Sequence, residues 1–377
     1  MYIINKKVEI DKSIDFRILA ERERLVFFDI ETTGLSSAHS EIYLIGILHF
    51  EEESWNFTQY FSESMFDEEK MLLEFKSFID KKAGQGKMPY LISFNGDNFD
   101  IPFMNKCAMQ YGISLGFEKC HSLDFIKKVR PLKKILGLND CKLKTIEHFL
   151  GIYREDKFNG GELIELYMEY RKLIQRNLST DESKKEALLK VLLLHNEEDI
   201  VDMPYLISML SYEALNEGSF SVEDYSMEDN ILSVDLRLKY RLPRELYIED
   251  DPFVISISQN GSDYFNFTVR FLKKELKYFF SNYKDYFYLI YEDYAVHKSV
   301  GEFVDKSSRR QANKKNAYIR KEGLFIEEPE IIYTPVFSEE YNSKKKYSLY
   351  EAGMFEDRNK LKAYVLGVLK SYILSKT

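Results

Sequence analysis

Residues 27–35 read FFDIETTGL, and they set two carboxylates, Asp29 and Glu31, into the end of an apolar run that begins at Leu25. A buried strand does not ordinarily accept two charges at its end. Residues two apart on a strand point to the same side, so the pair projects together as two hard oxygen donors. A divalent cation relieves their repulsion, and Mg2+ and Mn2+ prefer carboxylate, water and phosphate oxygens as ligands. A lone Asp-x-Glu is more often a solvated strand end, so its meaning depends on what accompanies it.

Two later stretches accompany it. SFNGDNFDIPF (93–103) follows a short apolar strand, PYLIS, and puts Asp100 near a helix N-terminus, where the helix dipole favours an ionised carboxylate. Asn95 and Gly96 supply a turn that brings backbone close to whatever the acid binds. LLLHNEEDIVD (192–202) offers His195 and Asp199, four apart and therefore on one face of a continuous helix. Carboxylates around a metal, with an imidazole near the water it activates, form the layout that metal-assisted hydrolysis needs. The expectation is four converging carboxylates with no basic residue among them.

These three stretches, in this order, resemble the motifs of the DEDD (DnaQ-like) superfamily of 3′–5′ exonucleases. The resemblance covers about 25–210. It implies a ribonuclease H-like α/β fold, Asp29, Glu31, Asp100 and Asp199 as metal ligands for two Mg2+ or Mn2+ ions, and His195 as general base. Thr32, Asn95 and Phe99, inside the same motifs, are then expected to meet substrate. Histidine-type members usually place the base five residues before the last acid. A histidine at a gap of four, together with LKTIEHFLGIYRED (143–156), resembles the YprB-like branch, bacterial proteins found in DNA-repair settings. That branch's usual Asp-Ile-Pro-Gly continuation is replaced here by KFNGG. The resemblance implies nucleic acid as substrate, DNA before RNA, and a helicase as a candidate partner. The alternatives are a ribonuclease of the same superfamily and a non-catalytic nucleic-acid-binding module on this fold. A haloacid-dehalogenase-type phosphatase also uses a strand-end acid pair, but it needs Asp where Glu31 stands. Asp124, in CHSLDFIKK, is either a supporting acid or the N-cap of the helix after it.

The rest of the chain frames these motifs. It has 377 residues, enough for two cores, and 45% are hydrophobic, with 27 Tyr and 28 Phe. The net charge of −9 lies before Ser219, and from there on acids and bases balance. An acidic protein needs local basic patches to meet a phosphate backbone. Two runs qualify: 127–144, and 306–321 with Arg309, Arg310, Lys314 and Lys315. Three cysteines without a CxxC pair fit a reducing, cytoplasmic setting. The N-terminus reads as no signal peptide, and LKAYVLGVLKSYIL near the C-terminus reads as an amphipathic helix, too interrupted to span a bilayer.

Three strands, a helix, a strand and then helices predict an α/β layered domain over 1–218, which the resemblance implies is a ribonuclease H-like mixed sheet flanked by helices. Asn98 is the expected N-cap of the helix after PYLISFNG, and Ser179 with Glu182 reads as a capping box. The polar stretch 216–230 reads as a linker. Alternation in ILSVDLRLKY and a hairpin signal at Asn260-Gly261 then predict a smaller α+β domain over 219–377 of structural or substrate-positioning role.

Overall fold

A computed structural model describes residues 1–377 except 65, 177–181, 258–262 and 376–377. The chain forms two compact units, Met1–Glu213 and Ala214–Thr377.

In the first unit, β1 (Tyr2–Val8), β2 (Leu25–Thr32), β3 (Ile42–Glu51), β4 (Ser54–Phe61), β5 (Tyr90–Ser93) and β6 (His121–Asp124) form one sheet in the order β1-β4-β3-β2-β5-β6. β2, β3 and β4 are the antiparallel meander expected from their composition. β5 and β6 join parallel to β2, which makes the sheet mixed. The edge strand β1, which pairs antiparallel with β4, has mostly exposed residues and so leaves little hydrophobic signal.

Alternation along β2 decides what each sheet face carries. Val26, Phe28 and Ile30 pack into a core with Met71, Leu72, Phe75 and Ile79 of α1 (Glu68–Ala83) and Phe103 and Met104 of α2 (Asp100–Gln110). Asp29 and Glu31 therefore point to the other face. There α5 (Gly160–Arg176) and α6 (Glu182–Val201) supply Leu163, Tyr167, Tyr170 and Leu192 to a second core, around Tyr43, Leu44 and Phe61. Two short helices, α3 (Phe125–Val129) and α4 (Leu143–Leu150), lie between β6 and α5 in sequence.

The second unit is mainly antiparallel sheet, and it contradicts the expected linker. Phe220–Glu228 is strand β7, paired with β8 (Ile231–Leu238). Asp229 and Asn230 both adopt positive φ (50° and 63°), the conformation that closes a tight two-residue hairpin. The acids and serines that suggested a linker are the exposed face of this strand, and Phe220 is its buried anchor. β7 and β8 continue into a five-stranded sheet with β11 (Tyr264–Arg270), β10 (Phe253–Ile257) and β9 (Leu246–Asp250). The Asn260-Gly261 turn and the Ser179 capping position lie outside the described residues. The C-terminal helix spans Arg358–Ser375 and buries Leu361, Tyr364, Val365, Val368 and Leu369. Among the described residues, no helix is long and apolar enough to cross a membrane.

Candidate active site

The first two acids stand where β2 loses its regular pairing. Asp29 lies opposite Gly46 of β3, Glu31 lies opposite Leu44, and the register shifts between Glu31 and Thr32. Such a bulge re-aims side chains at a strand end. Helix α6 can press against this point because Gly46 has no side chain. A Cβ there would stand 2.2 Å from Asn196 Oδ1 and 2.1 Å from Ile200 Cδ1. The close approach lets Asn196 Nδ2 donate to Asp29 Oδ2 at 3.0 Å, while its Oδ1 accepts from Gln59 Nε2 at 3.0 Å. Gly46→Ala is therefore expected to push α6 off the sheet, at about 1–3 kcal/mol for overpacking. Chemical unfolding of the variant checks this, and wild-type stability would show that α6 has slack there.

The third acid arrives on a turn. Asn95 sits in the left-handed region at φ 69°, and its amide donates to Asp124 Oδ1 at 2.7 Å. A Cβ on Gly96 would stand 2.2 Å from Ser93 Oγ, so glycine keeps this turn tight. Helix α2 then starts at Asp100, with Phe99 at the N-cap position. Asn98 is therefore not the cap. Its side chain instead donates to Asn95 Oδ1 at 3.1 Å, a bond within the turn that draws it away from the helix end. Asp100 is 4% exposed, and its Oδ1 accepts from the Ile30 amide of β2 at 3.2 Å. Asp124 caps α3 by accepting from the Ile126 amide at 3.1 Å, so its N-cap role is realised together with its grip on Asn95.

Helix α6 is continuous through both His195 and Asp199, which places them on one face. His195 Nε2 lies 3.6 Å from Glu31 Oε1 and 3.5 Å from Asp199 Oδ2. One donor atom from each of Glu31, His195 and Asp199 lies within 4.8 Å of the other two, a grouping that could hold a metal ion. Burial, then the charges of Asp100, Asp199 and Glu31, hold the Asp29 carboxyl well above the usual range. Burial, then Asp199, Asp100 and Asp156, do the same for Glu31. Burial above all pushes Asp100 up to about 7, against the bonds it accepts from backbone. Of the five residues expected to converge, Glu31, His195 and Asp199 meet at one point, and Asp29 and Asp100 lie within electrostatic reach of them.

These raised carboxyls have a consequence for stability. Between about pH 4, where a free Asp ionises, and about 7, the folded cation-free chain holds a proton on Asp100 that the unfolded chain has released. The Asp100 contribution to stability therefore becomes more unfavourable as pH rises through that window. In EDTA, the melting temperature of Asp100→Asn is expected to gain on wild type from pH 4 to pH 7. A constant difference across the window would contradict the shift.

One expectation is overturned: a basic residue does stand among the acids. Arg154, between α4 and α5, has a side chain only 5% exposed. Its guanidinium donates to both oxygens of Glu147 on α4 and to Asp199 Oδ1. Asp156, two residues on, has Oδ2 2.7 Å from His195 Nδ1. Both residues lie in the LKTIEHFLGIYRED stretch, whose contribution cannot be read from spacing because it depends on the loop folding back over α6. Glu198, adjacent to Asp199, turns away from the cluster and accepts from the amides of Glu155 and Asp156 at 2.8 and 3.0 Å. Glu197 pairs with Lys6.

Thr32 is buried, and its hydroxyl donates to the Gly34 carbonyl at 2.9 Å. The Phe99 ring packs 5.5 Å from that of Phe103. In the run 127–144, Lys127 pairs with Asp97, Lys128 with Glu213 and Lys144 with Asp156. In the second unit, Arg309 lies over Phe287 at 4.4 Å and donates to the Gly301 carbonyl, while Arg310 lies over Tyr288 at 5.0 Å. Lys314 and Lys315 are exposed. His297 caps the short helix Lys298–Gly301, which is a structural role.

Comparison with known proteins bears on this geometry. A family model of the RNase_H superfamily matches residues 26–211, which takes in all four acids and His195. The first unit is a ribonuclease H-like domain, and the second adds antiparallel sheet. No curated protein matches the chain. Among solved structures, a family B DNA polymerase from Pyrobaculum calidifontis is similar at 13% identity and a TM-score of 0.38, over 52% of this chain and 26% of that one. The E. coli exonuclease I–single-stranded DNA complex in its zinc-bound form is similar at 12% identity and a TM-score of 0.28, over 62% and 54%. Exonuclease I of Methylocaldum szegediense follows at 13% identity and a TM-score of 0.27, over 62% and 53%. The chain thus spans about a quarter of the polymerase and just over half of each exonuclease.

Proposed function

We propose that the chain is a metal-dependent 3′–5′ exonuclease that hydrolyses phosphodiester bonds of nucleic acid, DNA before RNA. One observation carries this reading. Glu31, His195 and Asp199 meet at one point, and Asp29 and Asp100 are electrostatically linked to them, in a region matched by a family model of the RNase_H superfamily. The donor set fits divalent cations: the oxygens are hard ligands, and burial together with the charges of neighbouring acids raises the carboxyls of Asp29, Glu31 and Asp100. Asp29, Glu31, Asp100 and Asp199 would hold them. Bound Mg2+ or Mn2+, two ions by analogy with the exonuclease motifs, would supply charge stabilisation to a phosphate undergoing attack.

The chain's own residues supply the rest. His195 has Nδ1 engaged by Asp156 and Nε2 facing the acids, in position to take a proton from water attacking the phosphorus. Asn196 fixes the rotamer of Asp29. Thr32, Asn95 and Phe99 line the motifs around the acids and are proposed to meet the terminal nucleotide. The gap of four between His195 and Asp199 supports the YprB-like branch, with a DNA-repair setting in the cytoplasm and a helicase as candidate partner.

The test uses end-labelled single-stranded DNA, duplex DNA and RNA, each with Mg2+, Mn2+ or EDTA. Stepwise shortening from the 3′ end with either ion, and none in EDTA, is expected. Full activity in EDTA would overturn the metal-dependent reading, and faster shortening of RNA would favour the ribonuclease alternative.

The basic run 306–321 is proposed to add sequence-independent phosphate contacts. Arg309 is tied to Phe287 and Gly301, so its loss would also disturb packing. The cleaner variant changes Arg310, Lys314 and Lys315 to Ala. It is expected to bind long single strands more weakly, with the salt dependence flattened by about one unit of slope for each phosphate no longer neutralised. Unchanged affinity and slope would make this run a solvated surface.

A further inference from the structure

We propose that Asp156 is a positioning residue for the reaction. It holds the His195 imidazole with its N–H on Nδ1 and its Nε2 lone pair toward the acid cluster. The inference deepens the nuclease reading and rests on His195 taking a proton there.

The geometry around the ring sets up a competition. Nε2 faces two carboxylates, Glu31 Oε1 at 3.6 Å and Asp199 Oδ2 at 3.5 Å. Nδ1 faces one, Asp156 Oδ2, at 2.7 Å. Asp156 is kept below its ordinary value and so stays ionised, and an ionised carboxylate only accepts hydrogen bonds, so the Nδ1 side calls for the single N–H of a neutral imidazole. With the Nδ1 side empty, the N–H would turn to Glu31 or Asp199, and no lone pair would face the cluster. The shorter approach of Asp156 settles the contest toward Nδ1–H. The ring nitrogen that makes the supporting hydrogen bond thus determines what the other can do.

Asp156 is built to win that contest. Its side chain is 1% exposed, and it is held from several sides. Lys144 Nζ donates to Oδ2 at 3.0 Å, and the Phe158 amide donates to Oδ1 at 3.1 Å. Burial alone would raise this carboxyl, but the bonds from His195, Phe158 and Lys144 outweigh it and keep the group below its ordinary value. The backbone is clamped as well. Glu198 accepts from the amides of Glu155 and Asp156, and Glu198 belongs to the helix that carries His195. Acceptor, ring and clamp are therefore all tied to α6.

The experiment compares wild type with Asp156→Asn and Asp156→Ala. An alanine empties the Nδ1 side and frees the N–H of His195 to move onto Nε2, whereas an asparagine can keep its oxygen where Lys144 and Nδ1 both donate. Two readouts are taken. Long-range 1H–15N correlation spectra of 15N-histidine-labelled protein, assigned with His195→Gln, report the tautomer without any substrate. Cleavage kinetics report kcat and KM. The expected results are Nδ1–H in wild type, Nε2–H in Asp156→Ala, and a fall in kcat of about 10²–10⁴-fold with KM unchanged in that variant. Asp156→Asn should fall less and keep Nδ1–H, because its oxygen still accepts there. Nε2–H in the wild type, or wild-type kcat in folded Asp156→Ala, would overturn the proposal. Absence of cleavage by the wild type would overturn the parent nuclease reading, and the tautomer spectra would still decide the role of Asp156.

Discussion

Replacing His195 with alanine will slow cleavage by about 10²–10⁴-fold and leave divalent-ion binding nearly intact. The ring contributes its Nε2 to the cluster, but the four carboxylates are carried by β2, α2 and α6 without its help. Asp29→Ala will be more damaging, because it removes an oxygen donor and releases the Asn196 amide that Asp29 anchors. The two variants separate in a paired measurement: single-turnover rate, and Mn2+ affinity by calorimetry. His195→Ala should lose rate alone, and Asp29→Ala should lose both. A wild-type rate in His195→Ala would remove the histidine from the chemistry. Glu198 is then not the substitute, since both of its oxygens are occupied by the amides of Glu155 and Asp156.

Arg154→Ala is expected to cost about 3–5 kcal/mol of stability, the range for removing one partner from a buried charge cluster. Glu147 has a side chain only 1% exposed, and Arg154 bonds both of its oxygens. Asp199 loses the same partner. The cost should depend on pH in a definite direction. Burial pushes the Glu147 carboxyl up to about 7 even with the arginine present. Without the guanidinium its ionised form is less favoured still. Below about pH 6 the orphaned group is protonated and the penalty shrinks; at pH 8 the chain must either bury a bare charge or hold a proton against the solvent. Urea unfolding of wild type and variant at pH 5.5 and pH 8 checks both size and direction. Equal stability at pH 8 would mean that water or a shifted lysine already compensates Glu147. A Glu147→Gln change made with Arg154→Ala should recover part of the loss, which a packing defect alone would not allow.

What could be read from the chain alone was local. Asp29 and Glu31 share a side because strand side chains repeat every two residues, and His195 and Asp199 share a face because four residues make about one helical turn. Asp100 was legible as the start of a helix after a tight turn. Each of these rests on covalent spacing over fewer than a dozen residues. The edge strand Tyr2–Val8 and the strand Phe220–Glu228 were not legible as strands, because the first is largely exposed and in the second a register shift between Val222 and Asp224 breaks the alternation of Phe220, Val222, Tyr225 and Met227.

Spacing along the chain says which side chains within one stretch share a side, and the resemblance to exonuclease motifs is what grouped the three stretches into one expected cluster. How the cluster is supported is a matter of folding in three dimensions. Asp156 meets His195 across 39 positions, and Arg154 meets Asp199 across 45. No periodicity spans such distances. These pairings depend on the 151–158 loop closing over α6, held by Glu198, and on Gly46 leaving room for α6 to reach the sheet. A charge in that loop looks like any solvated surface residue until burial removes its water and leaves it only the partners the fold brings.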